Sequence, residues 1–99
     1  MAYFGIRNIC SGGPPQTVAV SSSSSEVVAA DTNRKGIWIQ NTGNRTVFLG
    51  FGANAAEDNK GIRLVKDERI QVGATMLPTE AINAKTTAGP STLIYQEFI

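Results

Sequence analysis

The sequence predicts an all-β fold: an antiparallel β-sandwich of about seven or eight strands, jelly-roll or immunoglobulin-like, with an extended N-terminal arm. Three observations predict it. Of the 99 residues, nine Ile, seven Val and nine Thr make a quarter of the chain β-branched, against only four Leu, and stiff branched side chains suit a pleated sheet better than a helix. Ten Gly, four Pro, seven Asn and seven Ser supply frequent chain reversals. Short apolar runs recur with turn signals between them, the spacing of a sandwich rather than of alternating βα units.

The length fits one domain. Residues 1–15 read as an arm: Met1, Tyr3, Phe4, Ile6, Ile9 and Cys10 are apolar, and Gly12-Gly13-Pro14-Pro15 then separates them from the strands. Such a segment either closes its own sheet as an edge or reaches a neighbouring subunit. The sandwich domain is assigned to residues 16–99.

Residues 17–20 alternate as a strand, and residues 26–30 form a second. The five serines between them, Ser21 to Ser25, read as a polar loop or exposed strand edge in preference to a flexible tether. After the polar stretch 31–35, residues 36–41 form the clearest strand, with Ile37 and Ile39 on one face and Trp38 on the other. Asn41-Thr42-Gly43-Asn44 supplies residues tolerant of positive φ, so residues 46–51 are expected to return as the second arm of a hairpin. Val47, Leu49 and Phe51 share one face and Phe48 takes the other. Residues 53–58 are compatible with a single helical turn, too short to stand alone. Residues 61–65 and 68–72 are expected to form a second hairpin across Lys66-Asp67, followed by strands at 81–85 and 92–98. In the last, Leu93 and Tyr95 share one face and Ile94 and Phe98 the other.

Apolar groups on both faces of the central strands carry functional information. An antiparallel sheet with one solvated face normally alternates cleanly between apolar and polar residues. Trp38 and Phe48 therefore need cover from a loop, from the N-terminal arm or from another chain. Tyr3, Phe4, Ile6, Ile9, Trp38, Phe48, Ile94 and Phe98 are accordingly the expected interface residues.

The chemical classes fare poorly. There is no His and only one Cys, which removes the commonest neutral-pH acid or base, an internal disulfide and any Cys-cluster metal site. Glu57-Asp58 and Asp67-Glu68 are the acidic pairs available for acid/base work, but they are interleaved with Lys60, Lys66 and Arg69 as in solvated loops. Asn54, Glu57, Asp58 and Asn59 form an oxygen-donor cluster without the spacing of a known calcium loop. No catalytic residue, cofactor or metal is assigned, and the chain is expected not to be an enzyme. A formal net charge of +1 fits a nucleic-acid binder poorly, because phosphate neutralisation needs clustered cations. Arg34, Lys35 and Arg45 are the nearest to a basic patch and read as a solvated face. No apolar run is long enough to span a membrane, and no secretory signal is recognisable. Synthesis in a reducing cytoplasm is expected, with Cys10 a free thiol and the sequon Asn44-Arg45-Thr46 fortuitous. An exposed aromatic platform of Trp38 with Tyr95 is the feature a carbohydrate-binding sandwich would use.

The run from Asn33 through Asn41, the return Val47-Phe48-Leu49-Gly50, Gly61-Ile62-Arg63-Leu64 before Glu68-Arg69-Ile70, and Ala81-Ile82-Asn83-Ala84 before Leu93-Ile94 together resemble small β-sandwich structural proteins of tailed-phage virions. These are capsid decoration or cement proteins, head fibres and related accessory proteins. The resemblance spans residues 31–98 and consists of strand-and-turn patterns. It implies a non-enzymatic virion subunit, commonly trimeric, that sits on the shell and binds the major capsid protein or another virion protein. Residues 1–15 would then be the clasp. The alternative is a receptor- or glycan-binding module of a head fibre or tail. Neither reading involves nucleic acid or a membrane.

Overall fold

The computed structural model describes residues 12–53, 55–58, 60–72 and 79–99. Eight strands and no helix are found there: β1 (Gln16–Val20), β2 (Ser25–Val28), β3 (Gly36–Asn41), β4 (Val47–Phe51), β5 (Ile62–Leu64), β6 (Arg69–Val72), β7 (Ile82–Thr86) and β8 (Ser91–Phe98). They form two four-stranded sheets with orders β1-β8-β3-β6 and β2-β7-β4-β5, and every pairing is antiparallel. This is the jelly-roll order, which decides between the two topologies that the sequence leaves open.

The strand alternation places the core. Val20, Val28, Ile37, Ile39, Val47, Leu49, Leu64, Ile82, Ala84 and Leu93 are buried in one cluster drawn from both sheets. Each Val, Ile or Leu side chain removed from water in this way stabilises the fold by roughly 1.5–3 kcal/mol. Val18, Phe51, Ile62, Ile70, Val72 and Tyr95 pack around its margin.

Both expected hairpins are overturned. β3 and β4 lie in different sheets, as do β5 and β6, and the hydrogen-bonded sequential pair is β4 with β5. The reason lies in the burial pattern: Ile37 and Ile39 face Val47 and Leu49 across the core instead of lying beside them, so residues 42–46 arch from one sheet to the other. Gly43 has no positive φ. It is required by close approach, because a Cβ there would overlap Ser91 Oγ and stand 2.6 Å from Thr92 N. Asp67 does take a positive φ, 66°, but its turn is bonded to β3: Asp67 N–H donates to Asn41 O at 2.7 Å and Asn41 N–H to Glu68 O at 3.0 Å.

The expected helical turn is absent from the described part of residues 53–58. That segment is tied to the β2-β7-β4-β5 sheet instead. Ala56 N–H donates to Ser24 Oγ at 2.9 Å, and Asp58 pairs with Lys85 at 2.9 Å. The serine run is a polar arch, with Ser21 Oγ bonded to the backbone of Ser23.

Pro14-Pro15 does not end the pairing of the chain with β8. Gln16 is opposite Tyr95, whereas Gly12 is opposite Phe98 and Gly13 N–H donates to Glu97 O at 2.9 Å. Four steps on one strand thus match three on the other, and the extra residue accommodates two prolines that have no N–H to give the ladder. The arm residues Tyr3, Phe4, Ile6, Ile9 and Cys10 lie outside the described residues.

Candidate interaction site

Trp38, Ile94 and Phe98 converge on the outer face of the β1-β8-β3-β6 sheet. Register puts Trp38 opposite Gln96, Gln40 opposite Ile94 and Gly36 opposite Phe98, and residues directly opposite share a face. Across the other edge of β3, Trp38 faces Gln71 and Gln40 faces Arg69. All three apolar side chains are half-buried.

The indole is held in place by polar neighbours. Its Nε1–H donates to Gln96 Oε1 at 3.0 Å, and Gln96 Nε2 donates onward to Gly13 O at 2.7 Å. The Arg69 guanidinium stands over the ring, 5.6 Å from its centroid, within reach of a cation–π attraction. At the far end, glycines make room for Phe98: a Cβ on Gly12 would come within 3.0 Å of its ring, and one on Gly36 within 3.7 Å. The result is a surface of indole, phenyl and sec-butyl groups framed by glutamine amides and one cation. It suits burial against another surface better than chemistry on a small molecule.

Phe48 is placed elsewhere. It projects from the outer face of the other sheet and is 3 % exposed, opposite Lys85 and Arg63 in register. Lys85, its neighbour on that face, pairs with Asp58, and the buried Ala56 is tied to Ser24. The expectation of an interface at Phe48 is corrected accordingly: the chain covers this ring itself, so cover by another subunit is not required.

The Trp38 and Tyr95 platform is also corrected. Tyr95 lies opposite Ile39 and packs against the core, so it belongs to the inner face of the sheet whose outer face bears Trp38. Burial raises the Tyr95 pKa above its ordinary 10.0, the Glu97 carboxylate raises it further, and the Arg34 guanidinium opposes both.

Arg34 is not part of a solvated face. It is 3 % exposed, its Nε–H bonded to Glu97 Oε2 at 2.8 Å and its terminal nitrogens to Glu80 O and Ala29 O at 3.1 and 2.6 Å. It fastens the start of β3 to the end of β8 and to the loops beside them. Lys35 and Arg45 flank opposite ends of β3, so the three cations do not gather into a patch.

The acidic candidates are likewise dispersed. Glu57 lies 3.5 Å from Lys60 and Asp58 pairs with Lys85. Asp67 and Glu68 lie beyond the other end of β5, where Glu68 Oε1 accepts the Val65 N–H at 3.0 Å. Asn54 and Asn59 of the oxygen-donor cluster lie outside the described residues, and no metal-binding group of His, Cys, Asp or Glu occurs among the residues described. No described helix is long and apolar enough to cross a membrane. An open depression of about 440 Å³ is lined by Gly43, Asn44, Arg45, Pro90, Ser91 and Thr92. The Ser91 hydroxyl donates to Asn41 Oδ1 at 2.9 Å and Arg45 O at 3.2 Å.

Sequence reasoning missed Asn41. Fully buried, its amide donates to Arg45 O at 2.6 Å and Leu64 O at 2.9 Å while its Oδ1 accepts from Gly43 N–H at 3.0 Å. The signal was present as an Asn closing an otherwise alternating strand, but it reads equally well as a turn residue.

No family model matches the chain, and no curated protein does. Among solved structures, a de novo designed double-stranded β-helix determined by solution NMR is similar with a TM-score of 0.53 and 16 % identity, over 88 % of this chain and 100 % of that one. At that identity the likeness bears on the fold alone.

Proposed function

We propose that this chain is a non-enzymatic structural subunit of a tailed-phage virion, a capsid decoration or cement protein. It docks through the outer face of the β1-β8-β3-β6 sheet, with residues 1–15 as a clasp on the neighbouring protein. The observation that carries this reading is an asymmetry between the two outer faces. Phe48 is buried within the chain, whereas Trp38, Ile94 and Phe98 are only half-buried, with Gly12 and Gly13 the described neighbours at their rim. A half-covered apolar face on so small a core gains stability from assembly. An interface of standard size then adds several kcal/mol, at about 25 cal/mol per Å² of apolar area less ordering costs. The sequence resemblance supports the same reading and adds a homotrimer.

Co-sedimentation with phage heads that lack the chain tests this proposal. The wild-type chain should sediment with them, and Trp38→Ala should bind at least tenfold more weakly while keeping its fold. Wild-type protein that stays in the supernatant, or a Trp38→Ala protein that binds equally well, rejects the reading.

A second reading, a glycan- or receptor-binding module, is favoured by the amides of Gln40, Gln71 and Gln96 around the same indole. Under that reading Trp38→Ala loses an oligosaccharide ligand while the native mass is unchanged.

A further inference from the structure

Two sheets of four strands have four outer edges: β1 and β6 in one, β2 and β5 in the other. An edge strand presents unpaired N–H and C=O groups, and proteins discourage unwanted pairing there with charge, bulges and short length. Three of these edges show such devices. β6 carries Arg69 and follows Lys66, Asp67 and Glu68. β2 carries Glu26 and its register breaks between Glu26 and Val28. β5 has only three residues, with Arg63 at its centre.

Within β1 itself there is none of them, the extra residue at Pro14-Pro15 lying ahead of it. Its five residues, Gln16-Thr17-Val18-Ala19-Val20, hold unbroken register with β8 from Gln16 opposite Tyr95 to Val20 opposite Ser91. No charge occurs from Gly12 through Ser25, and the prolines precede the strand without interrupting it. Among the described residues, the ladder partner of β1 is β8 alone. Thr17 and Ala19 are exposed and Val18 is half-buried.

We propose that β1 pairs antiparallel with β1 of a second copy of this chain about a two-fold axis at Val18, joining two four-stranded sheets into one of eight. The strand fits its own reverse. Val18 then meets Val18, Thr17 meets Ala19 twice, and Gln16 meets Val20 twice, with no like charges opposed and no bulky group on the outer face. Self-complementarity of this kind is what an isologous contact demands, and it identifies the occupant as the same strand. The contact uses the edge of the sheet, leaving its outer face free, so it is independent of the docking proposed above.

Native mass of the full chain and two variants tests the pairing, with circular dichroism confirming the fold of each. The wild type should contain an even number of chains, six where the trimer proposed above also forms. Thr17→Lys/Ala19→Lys opposes lysines across the axis and should halve the mass. Thr17→Lys/Ala19→Glu places Lys opposite Glu twice in this register and should restore it. An odd number of chains in the wild type, an unchanged mass for the double-lysine variant, or a Lys/Glu variant that stays dissociated overturns the proposal. Binding to phage heads through Trp38 is read separately, so the two proposals fail independently.

Discussion

Asn41 and Ser91 meet inside the protein, the hydroxyl of Ser91 donating to Oδ1 of Asn41 at 2.9 Å. The bond joins the end of β3 to the beginning of β8. The Asn41 amide simultaneously caps Arg45 O of the arch and Leu64 O of the opposite sheet. A single carboxamide thus holds together three segments spread over 50 positions of sequence.

Replacing that carboxamide removes the side-chain donor to Leu64 O and leaves Arg45 O with only the longer bond from Ser91 Oγ, at a cost of roughly 1–3 kcal/mol for each buried group left unpaired. Asn41→Ala should therefore lose on the order of 3 kcal/mol of stability in urea titration. Asn41→Asp should do no better, since a carboxylate cannot donate to either carbonyl. A loss under about 1 kcal/mol would show that the network contributes little.

The glycines differ in what they tolerate. A Cβ at Gly43 meets Ser91 Oγ and the Thr92 backbone nitrogen, whereas one at Gly13 meets only Glu97 O at an ordinary 3.6 Å. Gly43→Ala should lower stability by about 1–3 kcal/mol through forced backbone shifts, with Gly13→Ala within about 0.5 kcal/mol of wild type. Thermal melts of the pair, measured side by side, decide this.

Arg34 and Glu97 form the one ion pair described whose cation is wholly enclosed, with side-chain exposures of 0 % and 24 %. Removing the guanidinium also strips the donors from Ala29 O and Glu80 O. Arg34→Ala should cost about 2–3 kcal/mol, less than for a pair with both partners buried. Arg34→Lys should recover less than half of that loss, because one ammonium cannot reproduce the planar fork. Denaturant midpoints that resist added salt would distinguish this pair from an exposed one such as Lys60 with Glu57.

Phe48 and Trp38 should respond in opposite ways to truncation. Phe48→Ala empties a site 3 % exposed and should cost about 3–5 kcal/mol of fold stability. Trp38→Ala should cost far less and act on association instead. Because Trp38 is the only tryptophan, its emission should shift to the blue when the outer face is covered by a partner and stay put when Phe48 is altered within a folded chain.

Tyr95 makes the fold sensitive to alkali. Its folded-state pKa lies above the ordinary 10.0, mainly through burial, so the folded state holds the phenolic proton more tightly than the unfolded chain does. The associated stability is complete below pH 10 and is lost as pH rises through the folded-state value. Urea midpoints of wild type should fall more steeply above pH 10 than those of Tyr95→Phe. Parallel curves would contradict this assignment.

The strand pattern was legible because the side-chain period of two is written directly into residues such as Ile37, Trp38 and Ile39. The partners of those strands were not. Asn41-Thr42-Gly43-Asn44 has the composition of a tight hairpin, yet whether a five-residue connection turns within a sheet or arches between sheets depends on which faces must meet in the core, and that is decided by β8 and β5 far along the chain. The outer-face position of Trp38, Ile94 and Phe98 followed from alternation alone. The burial of Phe48 did not, since alternation places it on an outer face and only the folded chain encloses it. Arg34 misled for a related reason: beside Asn33 and Lys35 it looks solvated, and only the return of Glu97 encloses it.

β8 lies between β1 and β3 at the heart of its sheet, although it is the last of the eight strands to leave the ribosome. Until it emerges, β1 has no ladder to join and β3 lacks the neighbour that Arg34 is fastened to. The nascent polypeptide must therefore wait for Ser91–Phe98 to emerge before this sheet can close, and a stop codon ahead of Ser91 would release a product unable to form it.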